Sequence, residues 1–318
     1  MEASERDSLR RHYGRLGFAL LAYYLVAAAA QFAVHYGILA WAPAIADTGW
    51  YLPALAFLPM YCIAFPVFLL LLPKAPPRAL LPEKSSLRVK EWFLLLLMCF
   101  GILYPGNLLG RGLDWAVRSL LHRAGEATAL DALAGGSETW AFVLAAVILG
   151  PIMEELTFRK LLIDRMRTID KPSALLYSAL AFGLFHANLV QFFYAFGVGL
   201  LFGAVYLRTG KVRYTIGLHM LVNFFGSAAS LFLLEHVDLS DPFRSLLPAL
   251  GLIIYGLAIA AAAIAGIVML VKHRRMLHVG DGEDRLGPGS RFSLVFARPG
   301  WVLYVLCILA MTAVNYLL

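Results

Sequence analysis

The stretch "TWAFVLAAVILGPIMEELTFRK", residues 139–160, decides how this chain is read. Its first half is as apolar as any part of the sequence. Glu154, Glu155 and Arg159 then follow within six residues. Charges placed in hydrocarbon are costly and by default mark a functional site. Whether these three lie in lipid depends on what surrounds them.

The surroundings are those of a membrane protein. Of 318 residues, 61% are hydrophobic and 15% charged, and the mean hydropathy is +0.74. A soluble domain is nearer half apolar and a quarter charged. The net charge of +7 comes from short Lys and Arg clusters between apolar runs, so it points to membrane topology and not to nucleic acid. Cys62, Cys99 and Cys307 all lie in apolar runs without C-x-x-C spacing, so buried, inert thiols are expected, with no disulfide framework.

About 20 apolar residues span a bilayer. Stretches of that kind run over 17–41, 52–72, 91–109, 139–158, 172–189, 191–208, 212–234, 246–271 and 300–317. The expected fold is an all-α polytopic transmembrane bundle of about nine spans. The basic start and "AAAA" at 27–30 imitate a signal peptide, but the apolar run continues to residue 41, so an uncleaved first span is expected. Residues 1–15, 73–90, 159–171, 208–213 and 272–298 are basic, which places the N-terminus inside and the C-terminus outside. The exception, 110–138, begins "LGRGLDWAVRSLLHR" and reads as an amphipathic helix on the membrane surface. Residues 74–90 read as a linker and 276–299 as a Gly-rich flexible loop.

Unusual polar residues cluster between 150 and 225, so spans four to seven form the functional core and the first three and last two are packing helices. Glu155 and Arg159 are four apart and share a helix face, so they can pair. Glu154 points about 100° away and has no such local partner, which makes it the general-base candidate. Pro151 removes a donor and frees the carbonyl of Val147, kinking the helix. His186 follows Phe182 by four residues in "AFGLFHANL", and His219 and Asn223 share a face in "GLHMLVNFF". An imidazole with an amide can donate hydrogen bonds to an oxyanion, or can simply hold helices together. Gly199 and Gly203 form a small-xxx-small pair for close packing. His35 reads as a packing residue, and Asn188 and Gln191 as a turn between spans. With the fourth helix ending near Thr168 and the fifth starting at Pro172, Glu154 and His186 lie at equal depth, about 21 Å from those ends, with His219 shallower.

An acid, two imidazoles and an amide suffice for water activation and oxyanion stabilisation. Other routes to intramembrane cleavage lack their residues. There is no H-E-x-x-H and no G-x-S-x-G, and "GDG" at 280–282 has no intramembrane Asp to pair with.

"EELTFR", "FGLFH" and "HMLVN" match E-E-x-x-x-R, F-x-x-x-H and H-x-x-x-N in order on successive spans. In this the chain resembles the CPBP family of intramembrane proteases, which includes the type II CAAX prenyl endopeptidases (Rce1-like) and bacterial Abi proteins. The resemblance covers about 139–235. It divides the chain into N-terminal helices with the amphipathic segment (1–138), a protease-like core (139–235), and C-terminal helices with a cytoplasmic loop (236–318). It implies glutamate-dependent hydrolysis of a peptide bond. Glu154 and His186 would activate water, His219 and Asn223 would form the oxyanion hole, and Glu155 and Arg159 would support them. No cofactor is expected. The alternative is zinc on Glu154, His186 and His219. The implied partners are the lipid bilayer and a membrane-associated peptide or protein, in what reads as a bacterial plasma membrane. The rival functions are a non-catalytic immunity or scaffold protein of the same fold, and a proton-coupled transporter.

Overall fold

The computed structural model describes residues 3–75, 85–123, 125–126, 137–166, 171–237, 240, 242–279 and 288–317. Among them there is helix and no strand. Lipid explains this, because backbone groups in hydrocarbon must be satisfied within their own segment. Ten helices are named here in chain order: α1 Ala3–Trp41, α2 Tyr51–Leu71, α3 Val89–Leu120, α4 Thr139–Met166, α5 Lys171–Phe185, α6 Leu189–Thr209, α7 Val212–Leu234, α8 Pro242–Lys272, α9 Pro288–Val295 and α10 Pro299–Leu317.

Eight of these helices are long and apolar enough to cross a membrane, where the sequence suggested about nine. The difference is α5. Its 15 residues cover about 22 Å, short of a hydrocarbon core of about 30 Å. It stops because Ala187 takes a left-handed backbone (φ 50°) and Asn188 caps α6, accepting from the Gln191 N–H. Protein encloses α5. Ser178 donates to the Phe158 carbonyl on α4, and Tyr304 of α10 donates to Ala181.

Three more expectations change. Residues 110–120 are not a separate surface helix but continue α3, which runs 32 residues, or about 48 Å. Asp114 and Arg118 on this extension pair at 3.1 Å, and the Tyr316 hydroxyl of α10 reaches Asp114 at 2.6 Å. Part of the expected loop at 276–299 is the helix α9, whose Leu294 and Val295 are buried. Cys62 is exposed and Cys307 half-buried, whereas Cys99 is buried. The remainder of that loop (280–287, with all of "GDG"), residues 76–84 of the linker, 127–136 after the amphipathic stretch, and the fourth helix's end near Thr168 lie outside the described residues.

Two large apolar cores form, with a smaller cluster of Phe142, Val147 and Ala228 between α4 and α7. One joins α1, α2, α4, α5, α9 and α10 through Tyr13, Leu20, Tyr23, Phe158, Tyr177 and Tyr304. The other joins α3, α6 and α7 through Leu95, Met98, Val198, Phe202 and Leu218. Gly199 and Gly203 lie close against α5, as the small-xxx-small reading expects. Still closer approaches occur elsewhere. A Cβ on Gly266 of α8 would stand 2.0 Å from the Leu97 carbonyl of α3, and one on Gly17 of α1 would stand 2.2 Å from the Trp301 nitrogen of α10. His35 joins α1 to α2 through the Tyr51 hydroxyl at 2.6 Å, a packing role.

Candidate active site

The site forms where the two cores meet. On α4, Glu155 and Arg159 are both 0% exposed and pair at 3.2 Å, as their i, i+4 spacing predicts. The Arg159 guanidinium lies 4.5 Å from the ring centre of Phe182 and 5.6 Å from that of Phe202. Phe182 belongs to the first core and Phe202 to the second, so the cation is held between aromatic faces of both.

His219 of α7 stands between the two glutamates. Its Nδ1 is 3.1 Å from Glu155 Oε1 and its Nε2 is 3.6 Å from Glu154 Oε2. Counting from helix ends put His219 shallower than Glu154, but counting assumes that all helices begin at one level. The structure places His219 directly beside both acids. Glu154 keeps 24% of its side chain exposed while Glu155 keeps none. The wheel argument therefore holds for α4 alone: Glu154 has no partner on its own helix, and its partner comes from α7.

His186 lies just beyond α5. Its Nδ1 meets the Phe182 carbonyl at 2.9 Å. A carbonyl only accepts, so Nδ1 carries the hydrogen and the neutral ring presents Nε2 as an acceptor. His186 makes no hydrogen bond or ion pair with Glu154, but it lies within the field of that carboxylate. Both imidazoles pack edge-on to the Phe182 ring, at 5.0 Å for His186 and 5.8 Å for His219. Phe182 thus touches Arg159, His186 and His219 together. The turn after His186 is held by Asn188, whose amide donates to the His186 carbonyl at 3.1 Å and whose oxygen accepts from the Gln191 N–H at 2.8 Å. Asn315 of α10 donates to the Ala187 carbonyl at 3.3 Å.

Asn223 is engaged with backbone. Its amide donates to the Ala146 carbonyl of α4 at 2.8 Å. The reason is local. Residues Val143–Leu149 wind with π-helical i→i+5 bonds, and the Gly150 N–H accordingly reaches Ala145. In that register the Ala146 carbonyl would be served by residue 151, a proline without an N–H. Pro151 therefore leaves Ala146 without a backbone donor in that register, and Asn223 supplies it. Three further π-helical stretches, Pro59–Ala64, Leu156–Ile163 and Phe224–Ala228, also adjoin the site. Such turns are rare and concentrate at functional positions.

The sequence did not single out Tyr23 of α1 or Tyr61 of α2, yet both lie within the field of Glu154, and Tyr23 faces Thr157. Thr157 in turn donates to the Met153 carbonyl at 2.8 Å. Tyrosines are common in apolar helices, and no local signal marks these two.

Zinc on Glu154, His186 and His219 was the alternative. Among the described residues no three His, Cys, Asp or Glu side chains group so as to hold a metal ion.

Residues 136–225 match the family model described as type II CAAX prenyl endopeptidase Rce1-like. The "Putative membrane peptidase YdiL" of Bacillus subtilis (strain 168) is 31% identical over 86 residues, which cover 26% of this chain and 34% of that protein. The chain thus matches about a third of the relative's length. No solved structure matches. Glu154, Glu155, Arg159, His186, His219 and Asn223 all fall inside the matched residues, so all six lie in the segment that is similar to the Rce1-like family, within a polytopic helical bundle.

Proposed function

We propose that the chain is an intramembrane endopeptidase that hydrolyses a peptide bond of a membrane-associated peptide or protein, using a water activated by Glu154. One observation carries this reading: His219 stands between a buried, Arg-paired glutamate and a partly exposed one. The buried pair orients the ring through Nδ1, leaving Nε2 on the side of Glu154. Glu154 takes a proton from water, with His186 Nε2 accepting from the same water to orient it. The water oxygen bonds to the carbonyl carbon. The resulting oxyanion accepts from His219 Nε2, which carries a hydrogen when the ring is doubly protonated, and from the second hydrogen of the Asn223 amide. Glu154 returns its proton to the leaving amine as the C–N bond breaks. The reaction is balanced without a metal or a covalent intermediate.

The proposed setting is a bacterial plasma membrane, with peptide pheromones, bacteriocins or membrane proteins as substrates. Replacing Glu154 with Gln keeps size and hydrogen bonding but removes the base. Cleavage in proteoliposomes should fall by on the order of a hundredfold or more, and the variant should trap substrates for identification by mass spectrometry. Undiminished cleavage would sink the assignment. Wild-type cleavage should also survive a zinc chelator; loss that added zinc restores would overturn the metal-free chemistry.

A further inference from the structure

We propose that the groove between α1 and the end of α2 binds an anionic phospholipid from the leaflet on the N-terminal side. This does not depend on the proteolytic reading. The groove, about 960 Å³, is lined by residues from Ser8 to Leu25 and from Leu70 to Lys74. Its two ends differ in chemistry. Arg11, His12, Arg15 and Lys74 gather at one end, and Leu25 and Leu70 belong to the apolar remainder.

No acidic side chain lines the groove, and Arg11, Arg15 and Lys74 make no ion pair among the described residues. His12 is turned inward, with Nε2 3.0 Å from the Arg165 carbonyl. Three cations with no ion pair among the described residues suit a phosphate. The apolar part is open: Leu70 is 85% exposed. Apolar surface bordering a cationic cluster suits an acyl chain, and one occupant that supplies both is a phospholipid. The dimensions agree. Arg11 to Leu25 is 14 residues of α1, about 21 Å, close to half of a bilayer of about 40–45 Å including headgroups. The charge pattern puts residues 1–15 and 73–90 on one side of the membrane, where basic pockets between helices take anionic headgroups.

Both walls of the groove are tied to α4. Arg165, whose carbonyl meets His12, donates from Nε to the Pro73 carbonyl at 2.7 Å. A lipid seated here braces the junction of α1, α2 and α4.

The test is native mass spectrometry of the delipidated full chain, titrated with phosphatidylglycerol or phosphatidylcholine of identical chains. Phosphatidylglycerol should bind preferentially. The variant Arg11→Gln/Arg15→Gln/Lys74→Gln should bind it on the order of a hundredfold more weakly, from about 1 kcal/mol per basic side chain removed. Lys272→Gln/Arg274→Gln/Arg275→Gln removes the same charge elsewhere and should bind as the wild type does. If the first triple variant does not fold, Lys74→Gln alone should still weaken binding several-fold. Equal loss in both triple variants, or equal binding of the two lipids, overturns the site. Full displacement by free glycerol phosphate also overturns it, as it would show an anion site without an acyl groove.

Discussion

The side-chain amide of Asn223 donates to the main-chain carbonyl of Ala146, 77 residues earlier, at 2.8 Å. The bond exists because Pro151 cannot supply the N–H that the π-helical register of α4 requires there. It ties α7, which carries His219, to the helix that carries both glutamates. The same residue can then serve structure with one amide hydrogen and an oxyanion with the other.

Replacing Asn223 with Leu should strand the Ala146 carbonyl and destabilise the protein by about 1–3 kcal/mol. Pro151→Ala restores a backbone donor, so the double variant should recover part of that loss. A double-mutant cycle by denaturation in detergent reads the coupling. Purely additive losses would refute the link. Cleavage should not return with stability, because the second hydrogen is still missing.

The buried Glu155–Arg159 pair makes a second prediction. Arg159→Met leaves a carboxylate without its cation at 0% exposure and should cost about 3–5 kcal/mol. Changing both residues, Glu155→Leu with Arg159→Met, should be less destabilising than Arg159→Met alone, since no unpaired charge stays buried. The double variant should still fail to cleave, because His219 has lost the carboxylate that orients it. Thermal unfolding beside a proteoliposome assay separates the two effects.

Asn188 tests the His186 turn. Asn188→Ala removes the cap of α6 and the bond to the His186 carbonyl, and should cost about 1 kcal/mol of stability. Its effect on kcat should be larger, on the order of tenfold to a hundredfold, because a small displacement of a reacting group is expensive in rate. A fall in kcat no greater than the stability loss explains would show that the turn does not position His186.

The α3–α8 contact gives a prediction about packing. Gly266→Ala puts a methyl group 2.0 Å from the Leu97 carbonyl and must push the helices apart. Overpacking of this kind costs about 1–3 kcal/mol. Val268→Ala, on the exposed side of the same helix, should change stability by no more than about 0.5 kcal/mol. Equal behaviour of the two variants would show that the close approach is not needed.

The sequence by itself determined the all-helical membrane fold, the Glu155–Arg159 pair and the placing of His219 with Asn223 on one face. Each rests on hydropathy or on i, i+4 spacing, which are properties of a short segment. It also showed that Glu154 has no partner on its own helix. Only the tertiary structure decided that His219, 64 residues from Glu155, stands between the glutamates, and that Phe182 joins Arg159 to both histidines. It likewise decided that α5 stops short of a full span, that residues 110–120 continue α3, and that Asn223 serves a carbonyl freed by Pro151. The physical reason is common to all of these. Helix level, helical register and the orphaning of a backbone group depend on what the neighbouring helices supply, and no single segment carries that information.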